Sequence, residues 1–224
     1  MHTPRALPTA VLTVLGAAAS AAPLASKDAV QVQTPLSAAG VSAKETNLGN
    51  LIADAVRQTG HAQIGIVPAD EIDAKAQIPA GKASPGAIAG SALRYADDPS
   101  DTVVVLSLTG AQLLKVAERS VSRAPEPFDG FLQVSGLQVR YDPKQPEGKR
   151  VTLAGAGGGE LDAGKTYRVA TARPLAGGSL GYFQIWSKKD IADDTGVPLA
   201  KSLAAYLAAH RTVNSVIENR ITTR

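Results

Sequence analysis

The chain has 224 residues, no cysteine, 4% aromatic residues and a formal net charge of +3 at pH 7. The lack of cysteine excludes a disulfide framework, thiolate metal ligands and a cysteine nucleophile. Because the cations are scattered along the chain and aromatic rings are few, the composition does not support nucleic-acid binding.

The first 21 residues have the pattern of a secretory signal peptide. Arg5 precedes a short apolar run at 10–19, and Ala19-Ser20-Ala21 has the small-x-small pattern of a peptidase site. The apolar run is too short for a stable membrane anchor, and no later stretch is long enough to span a bilayer. We therefore expect cleavage near Ala21 and a secreted or periplasmic protein without a membrane span.

Residues 22–43 have no sustained period and are interpreted as an N-terminal arm or a first strand. A helix follows, which Thr46 or Asn47 can cap and which Gly60 ends. Its apolar positions repeat on one helical face: Leu48, Leu51, Ile52, Ala55 and Val56. A short apolar strand at 63–67 then stops at a proline.

The segment from Asp70 to Gly90 is rich in proline and glycine and is predicted to be mostly loop. Thr102 to Leu108 is a β-branched run typical of a buried strand. It leads into a capping box, Thr109-Gly-Ala-Gln112, which predicts a helix over 110–121.

The rest of the chain mixes strands with one more helix. The predicted elements are strands at 131–134, 137–141, 150–153 and 166–171, a helix from Pro198 to about 209, and an edge strand within 213–222. Because helices and strands do not alternate regularly, the pattern favours a single α+β domain over a doubly wound sheet.

The stretch LAGGSLGYF fits the G-x-S-x-G spelling of a serine-hydrolase nucleophile around Ser179. Asp193, Asp194 and His210 follow in the chain order of that catalytic triad. However, the preceding strand ends near 171 and the residues after Gly181 are a poor helix start. Without the strand-turn-helix context, neither a nucleophile nor a phosphate-binding loop is expected here.

The histidines and carboxylates do not form a metal-ligand pattern. The only histidines are His2, His61 and His210, and no H-x-H or H-E-x-x-H spacing occurs. A zinc or two-metal hydrolase requires several such ligands to converge. We expect no metal site and no cofactor.

Several ordered segments resemble one family. KETNLGNLIADAVRQTG, LTGAQLLKVAERSVS, FLQVSGLQVRYDP, PEGKRV and DAGKTYRVAT occur in the order found in the C-terminal domain of secreted 5′-nucleotidases, a group that includes periplasmic UDP-sugar hydrolases and ecto-5′-nucleotidase. NRITTR resembles the end of that domain. The resemblance covers 44–224 and implies a single domain with a mixed, layered α/β/β/α fold.

In that family, an N-terminal metallophosphoesterase domain with two metal ions performs the hydrolysis, and the C-terminal domain binds the nucleoside part of the substrate. The phosphoesterase motifs D-x-H and G-N-H-[DE] are absent from this sequence. The resemblance therefore implies a copy of the second domain alone, with no catalytic residue of its own.

The charged and polar binding positions of the family are altered. The family loop N-x-G-G-I-R corresponds to Pro68-Ala-Asp-Glu-Ile-Asp73, so its substrate-contacting Asn becomes Pro68 and its Arg becomes Asp73. The second change reverses the charge where an anion would bind. Lys44 replaces a second arginine before N-L-G-N, which keeps the charge but not the forked geometry.

The aromatic and acidic positions are altered too. The family P-F-G-N loop reads Asp98-Pro-Ser-Asp101, so Pro99 replaces one base-stacking phenylalanine and Asp101 ends the motif. Pro174 replaces the other phenylalanine, and Leu180 replaces the acid of G-G-D-G. The G-x-S-x-G spelling is then explained as a remnant of this substrate loop.

Two hypotheses follow. The first is an exported, non-catalytic module with a degenerate nucleotide site that binds another small molecule or another exported protein. The alternative is the substrate-binding subunit of a split 5′-nucleotidase that acts with a separately encoded metallophosphoesterase.

Overall fold

The computed structural model describes residues 29–155 and 157–224, so the expected signal peptide lies outside the described residues. The strands are β1 Val30–Val32, β2 Leu36–Ser37, β3 Ile64–Pro68, β4 Gln77–Ile78, β5 Gly81–Ala83, β6 Thr102–Thr109, β7 Leu132–Ser135, β8 Leu137–Tyr141, β9 Val151–Gly155, β10 Thr166–Ala172, β11 Ile191–Pro198, β12 Thr212–Val213 and β13 Ile221–Thr223. The helices are α1 Asn47–Thr59, α2 Pro85–Ala92, α3 Gly110–Ser120, the short α4 Arg173–Ala176, and α5 Leu199–His210.

A five-stranded sheet in the order β11-β6-β10-β3-β7 forms the centre of the fold. β10 runs parallel to β3 and antiparallel to β6, and the other neighbours are antiparallel. Successive side chains of a strand point to opposite faces, and both faces are covered here. Val103 and Val105 join the apolar cluster on one face, while Val104 and Leu106 join the cluster on the other. Burial on both faces explains why β6 is a continuous β-branched run.

The first face is covered by α1, α2 and α5, whose buried side chains form one cluster with that side of the sheet. The segment interpreted as an arm or first strand contributes β1 and β2 to this layer. Val30, Val32 and Leu36 are at most 1% exposed and belong to the cluster. The residues from Val30 onward are therefore part of the packed domain.

The second face is covered by α3, α4 and the three-stranded sheet β13-β8-β9. The α+β fold expected from the sequence is confirmed, with helices and strands in packed layers. Among the described residues, none of the helices combines the length and apolar character that crossing a bilayer requires.

Local sequence signals account for the ends of the two main amphipathic helices. The Thr46 side chain accepts a hydrogen bond from the Gly49 backbone N–H at 3.0 Å and caps α1. At α3, the predicted capping box is present: the Thr109 side chain accepts from the Gln112 backbone N–H, and the Gln112 side chain accepts from the Thr109 backbone N–H.

The structure corrects the sequence interpretation in two places. The segment predicted to be loop contains α2, which Ser84 caps and Pro85 begins, together with β4 and β5. The edge strand β11 was not predicted. Its first four residues are exposed and its pairing with β6 is interrupted by register shifts, so it lacks the apolar alternation of a half-buried strand.

Candidate functional site

The predicted binding positions gather at one end of the central sheet, where β3 and β10 end and β6 begins. Pro68 is the last residue of β3, Asp101 directly precedes β6, and Pro174 follows β10. Pro99 lies in the loop before β6, and the backbone of Asp73 bonds to the end of α2 at 3.0 Å. We call this end of the sheet, with its loops 68–73, 93–101 and 173–180, the β3 end.

The other two predicted positions are Leu180, whose side chain packs against the second-face cluster, and Lys44, whose carbonyl accepts a hydrogen bond at 2.8 Å from Gln133, the partner of Val67 in β3. α3 runs back along β6, and Arg119 in its last turn donates two hydrogen bonds to the carbonyl of Leu180, at 3.0 and 2.7 Å. The same guanidinium lies 4.8 Å from the centre of the Phe128 ring. The Phe128 backbone N–H bonds to Ser42, two residues before the exposed Lys44. Folding therefore assembles positions that are far apart in sequence.

A buried pair of carboxyl groups lies at the β3 end. Glu71 is 2% exposed and Asp101 4% exposed. Both Asp101 oxygens and Oε2 of Glu71 have no hydrogen-bond partner among the described residues. Burial, together with the neighbouring Asp101 carboxyl, raises the pKa of Glu71 to about 8, and burial also raises the pKa of Asp101. With its pKa raised to about 8, the Glu71 carboxyl is mostly protonated at neutral pH.

The arginines at the β3 end are already engaged. Arg94 pairs with Asp70, and Arg173 pairs with Asp194. Arg173 Nε also donates to the Ser100 carbonyl at 2.9 Å and to Thr102 Oγ1 at 3.1 Å. An incoming anion would have to compete with carboxylates for both guanidinium groups.

Prolines occupy both positions where the family resemblance implies base-stacking phenylalanines. Pro99 and Pro174 are exposed, and the Phe128 ring is covered by Arg119. Gly181 has a φ of +87°, and a Cβ there would lie 2.5 Å from Nη2 of Arg119. Glycine at this position therefore lets Arg119 reach the Leu180 carbonyl. Sequence reasoning missed the contact between Arg119 and Phe128, because nothing in the sequence relates the two residues to the Leu180 loop.

The structure does not assemble the triad suggested by G-x-S-x-G. Ser179 begins a short 3₁₀ segment ending at Gln184, not an α-helix, so the nucleophile context is absent. Its loop packs with the second-face cluster, whereas His210 ends α5 on the first face. His210 Nδ1 lies 2.8 Å from the Tyr206 carbonyl oxygen. Of the two acids considered for the triad, Asp194 pairs with Arg173 and accepts a hydrogen bond from Thr102.

Metal ligands do not converge in the part of the chain that the structure describes. Within residues 29–155 and 157–224, no group of three or more histidine, aspartate or glutamate side chains is placed to hold a metal ion. His2 lies outside these residues. The β3 end is thus a cluster of paired charges and buried carboxyl groups.

Comparison with known proteins agrees with this fold. The family model described as "5′-nucleotidase, C-terminal domain" matches residues 21–187. The chain belongs to the 5′-nucleotidase C-terminal domain family. It is 27% identical to the 5′-nucleotidase of Diplobatis ommata over 80% of its own length, and 31% identical to the snake venom 5′-nucleotidase of Naja atra over 63%.

Solved structures show the same relationship. The 5′-nucleotidase precursor from Thermus thermophilus superposes with a TM-score of 0.75 and 30% identity, over 87% of this chain and 39% of that one. Haemophilus influenzae NAD nucleotidase superposes with a TM-score of 0.74 and 16% identity, over 87% of this chain and 37% of that one. At this low identity, the similarity shows a shared fold only. The chain spans about a third of the length of the Diplobatis ommata and Naja atra proteins, at 33% and 30%.

Proposed function

We propose that this chain is an exported, non-catalytic member of the family, whose β3 end binds a protein or a small molecule other than a nucleotide. The main support for this proposal is that the charged groups at the β3 end are already buried or paired with one another. Glu71 and Asp101 are buried together, and Arg94 and Arg173 are each paired with a carboxylate.

Two physical arguments support this proposal. A phosphate that approaches the β3 end would meet Asp70, Asp73 and Asp194, so the bidentate arginine contact that stabilises such anions is opposed by repulsion. A base would find Pro99 and Pro174 where the family resemblance implies phenylalanine. Stacking is worth about 1–3 kcal/mol per base, and that contribution is missing.

A thermal-shift assay tests the binding part of the proposal. The full chain is mixed with adenosine, AMP and a sugar nucleotide, and we expect no change in Tm. The matched variant Arg173→Ala removes a guanidinium from the β3 end and should give the same absence of response. A clear rise in Tm with AMP that Arg173→Ala abolishes would contradict the proposal, because ligand binding to the native state raises its stability.

The export part is tested separately. Expression in a host with a secretory pathway, followed by N-terminal sequencing of the exported fraction, should give a chain that begins at Ala22. An uncleaved protein that stays in the cytoplasm would contradict export without affecting the binding argument.

A second candidate is the substrate-binding subunit of a split 5′-nucleotidase. This candidate is favoured because the chain spans only about a third of the length of its relatives, at 33% and 30%. The family resemblance assigns hydrolysis to a separate metallophosphoesterase. Phosphate release from AMP that appears only when this chain is added to such a domain would support this candidate, and no release above that of the domain alone would count against it.

A further inference from the structure

A polar hollow lies at the opposite end of β3, between α1, α5 and the C-terminal residues 212–220. It consists of two adjoining cavities of about 320 and 210 Å³. Asp54, Tyr206 and Glu218 line both cavities. We call this feature the C-terminal hollow. Its larger part falls within the size range of small-molecule sites, which begins at about 300 Å³.

The floor of the C-terminal hollow is a fixed network of hydrogen bonds. Arg220 donates to both oxygens of the Asp54 carboxylate, at 2.8 and 2.9 Å. Ser135 Oγ donates to Asp54 at 2.5 Å and accepts from Arg57 Nε at 2.7 Å. Arg220 Nε also donates to Glu218 at 2.9 Å. Such a network holds the lining groups in place before a ligand arrives.

The charges of this network balance. Arg57 and Arg220 supply two positive charges, and Asp54 and Glu218 supply two negative charges. A phosphate would meet both carboxylates, and an ammonium group would meet both guanidinium groups. The balance therefore disfavours a ligand with a net charge.

Several residues that line the cavity keep hydrogen-bonding capacity. Among the described residues, Arg57 makes its side-chain hydrogen bond through Nε alone, and Glu218 accepts through Oε2 alone. The Tyr206 hydroxyl and the Gln138 amide, which also line the larger cavity, make no side-chain hydrogen bond within the same residues. Donors and acceptors are thus interleaved around an opening.

One wall is an aromatic pair. The rings of Tyr206 and His210 are stacked, with centroids 4.0 Å apart and planes at 25°. Burial raises the pKa of Tyr206, so its hydroxyl stays protonated at neutral pH and can both donate and accept. The ring supplies an apolar surface beside polar groups, which suits a ligand with one C–H face and several hydroxyl groups.

We propose that the C-terminal hollow is a binding site for a neutral polyhydroxylated small molecule, of the class of monosaccharides and cyclic polyols. A pair of adjacent hydroxyl groups accepts from the free amino groups of Arg57 and donates to Oε1 of Glu218. The C–H face of the ring packs on Tyr206. This site is separate from the β3 end, so it does not depend on the function proposed there.

Saturation-transfer NMR on the full chain tests this site. The probes are D-glucose and myo-inositol, with glycine and methyl phosphate as zwitterionic and anionic comparisons. We expect saturation transfer to at least one polyol and none to glycine or methyl phosphate. Tyr206→Phe, which removes only the hydroxyl, should weaken the polyol signal several-fold, and Tyr95→Phe, at an exposed tyrosine outside the hollow, should leave it unchanged.

Gln138→Ala provides a second variant that removes a lining amide from a partly exposed position, and it should also weaken the signal. The absence of transfer to either polyol would overturn the proposal. Transfer that neither Tyr206→Phe nor Gln138→Ala reduces, or transfer to methyl phosphate or glycine in place of the polyols, would overturn it as well.

Discussion

At the β3 end, the carboxyl groups of Glu71 and Asp101 are buried without a donor from the described residues, and the arginines pair with carboxylates near the surface. At the C-terminal hollow, Asp54 is bound by Arg220 and Ser135 on both of its oxygens. The first arrangement depends on a protonated Glu71 carboxyl, whereas the second depends on hydrogen-bond partners that are already present. The free energy of unfolding should therefore depend differently on pH, and on the removal of single side chains, at the two ends of the sheet.

The largest difference is expected when one arginine is removed from each end. Arg220→Ala leaves the Asp54 carboxylate, whose side chain is 22% exposed, without its bidentate partner. Breaking such a pair costs about 3–5 kcal/mol, and the lower end applies here because Asp54 is partly exposed. Arg94→Ala removes an exposed partner of Asp70 and should cost at most about 1 kcal/mol.

Urea unfolding of both variants measures this difference. Equal losses of unfolding free energy for Arg220→Ala and Arg94→Ala would show that the two ends do not differ in the way described.

The next effect is the pH dependence of stability. Because the pKa of Glu71 is raised from its ordinary 4.5 to about 8, its contribution is fully present below about pH 4.5 and is lost as pH rises through about 8. At about 1.4 kcal/mol per pKa unit, a shift of this size corresponds to a fall of at most about 5 kcal/mol. The pKa values of Asp98 and Asp194 are lowered, so protonation of these two groups reduces stability only at more acidic pH.

Urea titrations at a series of pH values check this expectation, with Glu71→Gln as the matched variant. The variant keeps the side-chain size but does not titrate, so its stability should change much less between about pH 4.5 and 8. A wild-type stability that rises over the same interval would contradict the raised pKa of Glu71.

A smaller effect concerns the loop that carries Leu180. Gly181→Ala introduces a Cβ at a φ of +87° and close to Arg119, and should destabilise the fold by about 1–2 kcal/mol. Gly90→Ala is the control, because that glycine lies in α2 with open space around its missing Cβ. Replacing it should stabilise by about 0.5–1 kcal/mol. Thermal unfolding that shows the same sign for both variants would contradict this description of the loop.

Much of the core could be predicted because its signals are local. The apolar stripe and the caps of α1 and α3, and the β-branched run of β6, depend on neighbouring residues alone. α2 was missed because two glycines and a proline in eight residues resemble a loop. β11 was missed because pairing with β6, rather than apolar burial, makes it a strand.

The candidate site was predictable only as a set of positions. The family resemblance identified Pro68, Asp73 and Asp101, and the ends of β3 and β10 explain why such positions meet. The burial of Glu71 against Asp101 joins residues 30 apart and depends on how two loops pack. The C-terminal hollow likewise joins Asp54 to Arg220, and no local pattern in either segment predicts that contact.

The central claim is that the charges and prolines of the β3 end exclude nucleotides. Isothermal titration calorimetry with AMP tests it most directly, on the wild-type chain and on a variant that combines Asp73→Arg, Pro99→Phe, Asp101→Asn, Pro174→Phe and Leu180→Asp. We expect no measurable binding of AMP by the wild-type chain and a gain of binding by the variant. Micromolar binding of AMP by the wild-type chain would contradict it.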